Sequence, residues 1–328
     1  MKPVFNIGFS GNKQDLERLL GVGNQIDSVY TGGLKNMIAG GRPQYCSSLN
    51  EIEDLVNIAS KKKVTFEIAL NSPCGIENTT NHIYWKKIRD YLKDLEKIGV
   101  SGIIASHPFI MSEVKANTNM QLTASTICEI QSCRSAIYYE NLGADVLVPS
   151  MNCNYNIDLL IDIKKALKRA KIRLMVNEHC LGDCPWRRFH HNHYAHSSNA
   201  FDYHLKCKKV YWNNPHLLLT NSVIRPEDLH HYEQITNDFK IVGRQVPIEA
   251  LANVVCAYEA EQYDGNYIEL FDITMAKKYF IDNKCLDQLF YNKSKCTCKC
   301  HNCKKCKEMY SMARLKNLNT DTKANGNG

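Results

Sequence analysis

Nowhere in this chain of 328 residues does an apolar run approach the ~20 residues needed to span a bilayer. That excludes a helical integral membrane protein, and no membrane partner is expected. The first residues, MKPVFNIGFSGN, lack the basic head, long apolar stretch and small-residue cleavage site of a secretory signal. A cytoplasmic location is therefore expected. No Gly-rich phosphate loop follows the first strand-like run, which argues against a doubly wound nucleotide-binding sheet. Neither a Gly-x-Ser-x-Gly elbow nor a His-Glu-x-x-His zinc helix is present, so two common hydrolase designs are excluded.

Cysteine, by contrast, is plentiful. There are 15, an odd number, and in a reducing compartment they do not suit a disulfide framework. They are expected to be either metal ligands or small buried hydrophobes. Cys128, Cys133, Cys153 and Cys256 stand in helix-like or isolated settings and read as core or incidental. Hydrophobic content of 44% and charge of 23% describe an ordinary globular protein. The formal charge of +7 mildly favours an anionic partner, a nucleic acid or a carboxylate or phosphate substrate. Much of the excess comes from the tail, KSKCTCKCHNCKKCKEMYSMARLKN.

Strand-like runs alternate with amphipathic helical stretches along the body. VFNIGF (4–9), SVYTGG (28–33), VTFEIAL (64–70), SGIIAS (101–106), QLTAST (121–126), DVLVPS (145–150), IRLMVN (172–177) and HLLLTN (216–221) make eight such runs. Strand–helix units call for a parallel sheet with right-handed crossovers, and eight point to an irregular (β/α)8 TIM-like barrel. Residues 1–290 are expected to form it, followed by a Cys-rich basic extension (291–312) and a polar, disordered tail (313–328). In a barrel, function gathers at the C-terminal strand ends. Those ends carry Gly32 and Gly33, Asn71 with Cys74, Ser106 with His107, Ser125, Ser150 and Glu178.

The seventh run leads into NEHCLGDCPWRRFHHNHYAH (177–196), where two cysteines, five histidines and two arginines crowd together. The connection from 178 to 215 is much longer than usual, which marks it as functional. Cys180, Cys184 and, further on, Cys207 supply three thiolates for an iron–sulfur cluster. Cys74 is the first choice for a fourth, with Cys46 and Cys256 behind it. Zinc would take the same thiolates with His190 or His193. His190 and His191, being adjacent, are expected to serve different environments, and one histidine here is a candidate acid–base group. Arg187 and Arg188 are candidate clamps for a carboxylate or phosphate.

The tail holds a denser set: Cys296, Cys298, Cys300, Cys303 and Cys306, with His301. Cys300, Cys303 and Cys306 have the C-x2-C-x2-C spacing of cluster and zinc loops. Cys296, Cys300, Cys303 and Cys306 are therefore a candidate second metal site, for zinc or a second cluster. Cys296, Cys300 and Cys303 also satisfy the C-x3-C-x2-C pattern of radical SAM enzymes, but they lie after all the strands, where that family does not carry it.

Four segments in order, NEHCLGDCPWRRFHHN, IRPEDLHHYEQI, FKIVGR and CAYEAEQYDGN, make the chain resemble the collagenase-like U32 peptidase family over roughly residues 60–290. The resemblance implies a barrel-like catalytic domain. Members once labelled peptidases include the oxygen-independent hydroxylases of ubiquinone synthesis, which hold a 4Fe–4S cluster on four cysteines, and proteins that hydroxylate transfer and ribosomal RNA. By position, Glu178 matches the family's glutamate, Cys180, Cys184 and Cys207 its cluster cysteines, and Arg244 the arginine closing the core motif. The spacing departs from the usual pattern: Gly182 follows Glu178 by four residues rather than about five, the two cysteines are only four apart, and the closing serine has no clear match, Ser197 being the candidate. That departure bears on substrate class more than on the cluster.

These observations lead to one expectation and two rivals. The chain is expected to be an iron–sulfur enzyme that modifies a small molecule, peptide or RNA, most simply an oxygen-independent hydroxylase. Cys180, Cys184, Cys207 and Cys74 would hold a 4Fe–4S cluster. Glu178 and His190 would move protons, Arg244 would complete the catalytic set, and Arg187 with His107 would bind an anionic substrate. The rivals are a U32-type peptidase and a non-catalytic module that binds nucleic acid or a protein partner through the Cys-rich tail.

Overall fold

The computed structural model describes residues 2–34, 40, 46–73, 82–196 and 209–324, with the side chains of His196 and 315–324 outside the description. Cys74, Ser197 and Cys207 fall outside the described residues. Among the described residues nine short parallel strands form the sheet: β1 (Val4–Gly8), β2 (Ile26–Gly32), β3 (Thr65–Leu70), β4 (Gly102–Ala105), β5 (Gln121–Ala124), β6 (Val146–Leu147), β7 (Lys171–Ile172), β8 (Leu174–Met175) and β9 (Asp238–Ile241). Their order is β7-β6-β5-β4-β3-β2-β1-β9-β8. β7 pairs with β6 while β8 pairs with β9, and only Arg173 separates the two in sequence. The run 171–175 therefore closes the ring as one strand position, which gives the expected eight-position TIM-like barrel.

Local chemistry starts several of the crossover helices where the sheet needs them. The Asn12 side chain accepts from the N–H groups of Gln14 and Asp15 to begin α1 (Lys13–Val22). Ser48 caps α2 (Leu49–Lys61), which precedes α3 (His82–Lys97). His107 and Pro108 begin α4 (Pro108–Asn117), a Ser132–Ser135 capping box begins α5 (Cys133–Asn141), and Asn156 caps α6 (Ile157–Ala166). Helices α1 to α6 press apolar stripes onto the outward faces of the strands, in one core that includes Phe5, Ile7, Leu16, Leu55, Phe66, Leu92, Leu122 and Leu160.

The eighth strand-like run departs from the expected pattern. HLLLTN is not a strand; Pro215–Thr220 forms a 3-10 helix. Leu218 and Leu219 are buried in a separate apolar cluster with Tyr267, Ile268, Met309 and Tyr310. The slot beside β1 belongs instead to Asp238–Ile241, whose Asp238 and Lys240 reach charges inside the barrel. The terminal helix Lys305–Ala324 crosses the boundary placed at residue 313, and Ala313 is buried in that second cluster.

The barrel interior is polar in its lower layer. Lys240 donates to Asn6 (2.8 Å), and Asn6 donates to Ser28 (2.7 Å) and Glu67 (3.1 Å). Arg173 bridges Glu67 (3.0 Å) and Asp238 (2.7 Å). Two cations thus face two carboxylates, the balance that makes buried charge tolerable. Burial pushes the Lys240 amine well below the usual lysine range, against the pull of Glu67. Tyr30, whose ring lies 3.4 Å beneath the Lys240 amine, forms the next layer with Ala69 and Ile104. This plugged interior leaves the upper rim as the place for chemistry. No helix among the described residues is long and apolar enough to cross a membrane.

Candidate active site at the barrel mouth

The loop after β8 is fastened to the rim at several points. Asn177 accepts from the Val242 N–H (2.7 Å) and donates to the Val242 and Leu270 carbonyls. The next residue, Glu178, is buried at 4% exposure. Its Oε1 lies 3.6 Å from the Cys180 Sγ and 3.7 Å from the His179 Nδ1. Cys180 packs against Val148, Met151 and Met175, an apolar wall built from two neighbouring strand ends. Tyr211 donates to the His179 carbonyl (2.8 Å) and pins the loop from outside.

The turn between the two cysteines depends on its small residue. A Cβ on Gly182 would stand 2.7 Å from the Thr220 carbonyl oxygen, a backbone atom that cannot swing aside. Asp183 follows in the left-handed region at φ 52°. This turn brings Cys180 and Cys184 onto one loop at the mouth, with the Arg187 N–H bonded to the Cys184 carbonyl (3.2 Å).

Helix α7 (Arg187–His196) then turns Arg187, His190, His191 and Tyr194 inward, a stripe at i, i+3, i+4 and i+7. His190 and His191, expected in different surroundings, are both buried on this stripe at 8% exposure. The His190 ring packs on Tyr194, with centroids 5.5 Å apart. Arg187 is 5% exposed and forms an ion pair through Nη1 with Glu129. Its Nε and Nη2 are buried without a hydrogen-bond partner among the described residues. Buried guanidinium donors left over in this way suit a carboxylate or phosphate.

Glu129 was not anticipated from sequence. It ends the 3-10 turn after β5 at φ 51° and also accepts from Ser150 (2.7 Å) and Gln131 (3.2 Å). Only its position four residues beyond Ser125, at a strand end, could have drawn attention to it. Ser125 itself accepts from Asn71 (3.1 Å), which joins the ends of β3 and β5.

The remaining candidates divide. His107 lies on the same face, but its Nδ1 accepts the Phe109 N–H (3.2 Å) and its ring stacks on Phe109. Burial lowers its pKa from the usual histidine value. Arg244 follows β9, with its guanidinium 5.7 Å from the Tyr30 ring centre. Cys256 is exposed on the outer helix Ile248–Glu259, away from the loop, and Cys46 is buried in the core. Burial pushes the Cys128 thiol up to about 12 and the Cys153 thiol up to about 11, as suits packing residues. Among the described residues no three His, Cys, Asp or Glu side chains stand together at metal-holding distance.

Comparison with known proteins bears on this arrangement. The model of peptidase family U32 matches residues 14–295. The chain belongs to peptidase family U32. An uncharacterized protease of Methanocaldococcus jannaschii is 30% identical over 295 residues, covering 87% of this chain and 88% of the relative. The solved U32 peptidase Mk0906 superposes with a TM-score of 0.57 at 18% identity, over 75% of this chain and 94% of its own. That structure supports the U32 barrel fold independently of the sequence match.

Proposed function

We propose that this U32 protein is an iron–sulfur enzyme that modifies an anionic small molecule, peptide or RNA, by hydroxylation with the oxygen drawn from a donor other than O2. The observation that carries this reading is the meeting, at one barrel mouth, of two thiols on a single loop with a buried arginine that keeps donors in reserve. Cys180 and Cys184 fit half of a four-thiolate set, and the apolar wall behind Cys180 suits a group that must be shielded from water. Cys207 and Cys74, outside the described residues, remain the candidates for the other half. When bound, the cluster would supply electron transfer.

The chain's own residues would do the rest. Arg187, oriented by Glu129, would grip a carboxylate or phosphate through Nε and Nη2. Glu178, buried beside Cys180, would hold or accept a proton, with His190 close behind on α7. Arg244, after the neighbouring strand β9, would add positive charge at the same rim. A cytoplasmic setting would keep the thiols reduced. The peptidase reading has one structural support, the adjacent carboxylate, imidazole and thiol of Glu178, His179 and Cys180.

Anaerobic purification followed by an absorbance spectrum and iron, sulfide and zinc analysis tests the proposal. A brown, iron- and sulfide-bearing protein that loses its iron in Cys180→Ala is expected. Colourless, iron-free protein would overturn it. Comparing the RNA and small molecules of a deletion strain by mass spectrometry then seeks a missing one-oxygen increment. Cleavage of gelatin or peptides by metal-free protein would favour the peptidase reading instead.

A further inference from the structure

The loop that carries Cys180 and Cys184 lies between two bodies. On the barrel side, Asn177 is tied to Val242, and Cys180 rests on Val148, Met151 and Met175. On the outer side, the His179 carbonyl accepts from Tyr211 (2.8 Å), Leu181 packs against the second apolar cluster, and Gly182 abuts the Thr220 carbonyl. Tyr211, Leu218 and Leu219 all belong to that cluster. Contacts therefore alternate along the loop, and residues 179, 181 and 182 lean on a body that is not the barrel.

That outer body is closed by the C-terminal end of the chain. The terminal helix Lys305–Ala324 packs on the 3-10 helix Pro215–Thr220, and its Met309, Tyr310 and Ala313 are buried with Leu218, Leu219, Tyr267 and Ile268. Polar contacts fix its place. The Ala313 carbonyl accepts from the Asp282 N–H (3.3 Å), and the Asn292 amide donates to the Met309 sulfur (3.2 Å). Asn221, directly after Thr220, is held at its carbonyl by Lys293 and at its side chain by the Tyr267 hydroxyl (2.9 Å). The helix lies beyond residue 295, where the match to the U32 family ends.

We propose that residues 305–313 act as a strap on the barrel mouth. By burying Met309, Tyr310 and Ala313 against 215–220, they hold the Thr220 carbonyl at the Gly182 turn and so set the placement of Cys180 and Cys184. These three are positioning residues that act through Leu218, Thr220 and Gly182. A loop between Asn177 and α7 without regular structure of its own takes its order from what covers it. A helix whose inner face is buried against the mouth belongs to the same working unit as the barrel and is not a free-standing arm. The strap acts whether or not the loop holds iron.

Hydrogen exchange on the full-length protein tests this. The wild type is compared with Met309→Ala/Tyr310→Ala and with the conservative pair Met309→Leu/Tyr310→Phe. In the alanine variant, exchange across residues 178–187 should quicken several-fold while β1 to β5 stay as protected as in the wild type. The conservative variant should restore the wild-type rates. Unchanged exchange at 178–187 in the alanine variant would overturn the strap. Equal quickening of β1 to β5 would also overturn it, because the helix would then serve the global fold alone; so would a conservative variant that fails to restore the loop. Should the alanine variant not fold, Leu181→Ala decides the matter by cutting the contact from the loop's side. Faster exchange at 178–187 with 305–313 still protected supports the strap, and wild-type exchange there rejects it. None of these readouts depends on iron, so this proposal and the iron–sulfur reading fail separately.

Discussion

Arg187 on α7 is held through one guanidinium nitrogen by Glu129 at the end of β5, while Nε and Nη2 stay buried and unmatched among the described residues. The carboxylate fixes the fork, and under the proposed function its open side would take the charge of an anionic ligand. An anion held there at 100 times its Kd adds about 2.7 kcal/mol of stability through mass action. Wild-type protein should therefore melt at a higher temperature with a dicarboxylate or a phosphate ester, and Arg187→Met should not respond. Arg187→Lys, a point charge without the planar fork, should respond only weakly. Thermal melts at constant ionic strength measure this, and an equal shift in Arg187→Met would remove the anion site from Arg187.

The turn at Gly182 makes a second point of leverage. A methyl group there meets the Thr220 carbonyl oxygen at 2.7 Å, and neither backbone can yield without moving the loop. Gly182→Ala should cost about 1–3 kcal/mol, the usual range for overpacking. It should also lower iron occupancy, because Cys180 and Cys184 flank the turn. Urea titration and iron analysis on the same preparation check both effects. Cys256→Ser, on the exposed face of its helix, should change stability by less than about 0.5 kcal/mol and leave iron untouched.

The sequence announced the barrel because strand-like runs alternate regularly with helical stretches, several of them opened by their own capping residues. It failed at 216–221, where Leu217, Leu218 and Leu219 look like strand but pack into a cluster remote in sequence. It passed over β9 for the opposite reason: Asp238 and Lys240 break the apolar run, and only the interior partners Arg173 and Asn6 explain them. Cys180, Cys184 and Glu178 were legible because they lie within seven residues of one another. Glu129 was not, since its role exists only through Arg187, 58 residues away in the chain.

The interior charge network gives a prediction about stability alone. Arg173 answers both Glu67 and Asp238, with 3% of its side chain exposed. Burial disfavours its charge, yet the two carboxylates hold it more firmly protonated than usual. Arg173→Met would strand Glu67 beside Asp238 in the barrel interior with one cation fewer. A loss of about 3–5 kcal/mol is expected from breaking a buried pair on one side. Chemical denaturation measures it, and a loss below ~1 kcal/mol would mean that water or a rearranged Lys240 replaces the guanidinium.

Glu140, at the end of α5, yields a pH dependence with a definite sign. Burial works against its charge, but the N–H groups of Ala170, Arg169 and Lys168 all point at the carboxylate, and together they hold its pKa below the usual glutamate value. The folded state therefore binds the Glu140 proton less readily than the unfolded chain. This stabilisation is fully present above the unfolded pKa, near 4.3 for a free glutamate, and is lost as pH falls through the folded value. Glu140→Gln should lower stability by about 1 kcal/mol at neutral pH, the scale of one net hydrogen bond. Below the folded pKa, where wild-type Glu140 is itself neutral, the two proteins should converge. Unfolding free energies of both proteins across the acid range measure the gap, and a constant difference down to the lowest pH at which both stay folded would deny the three N–H groups their role.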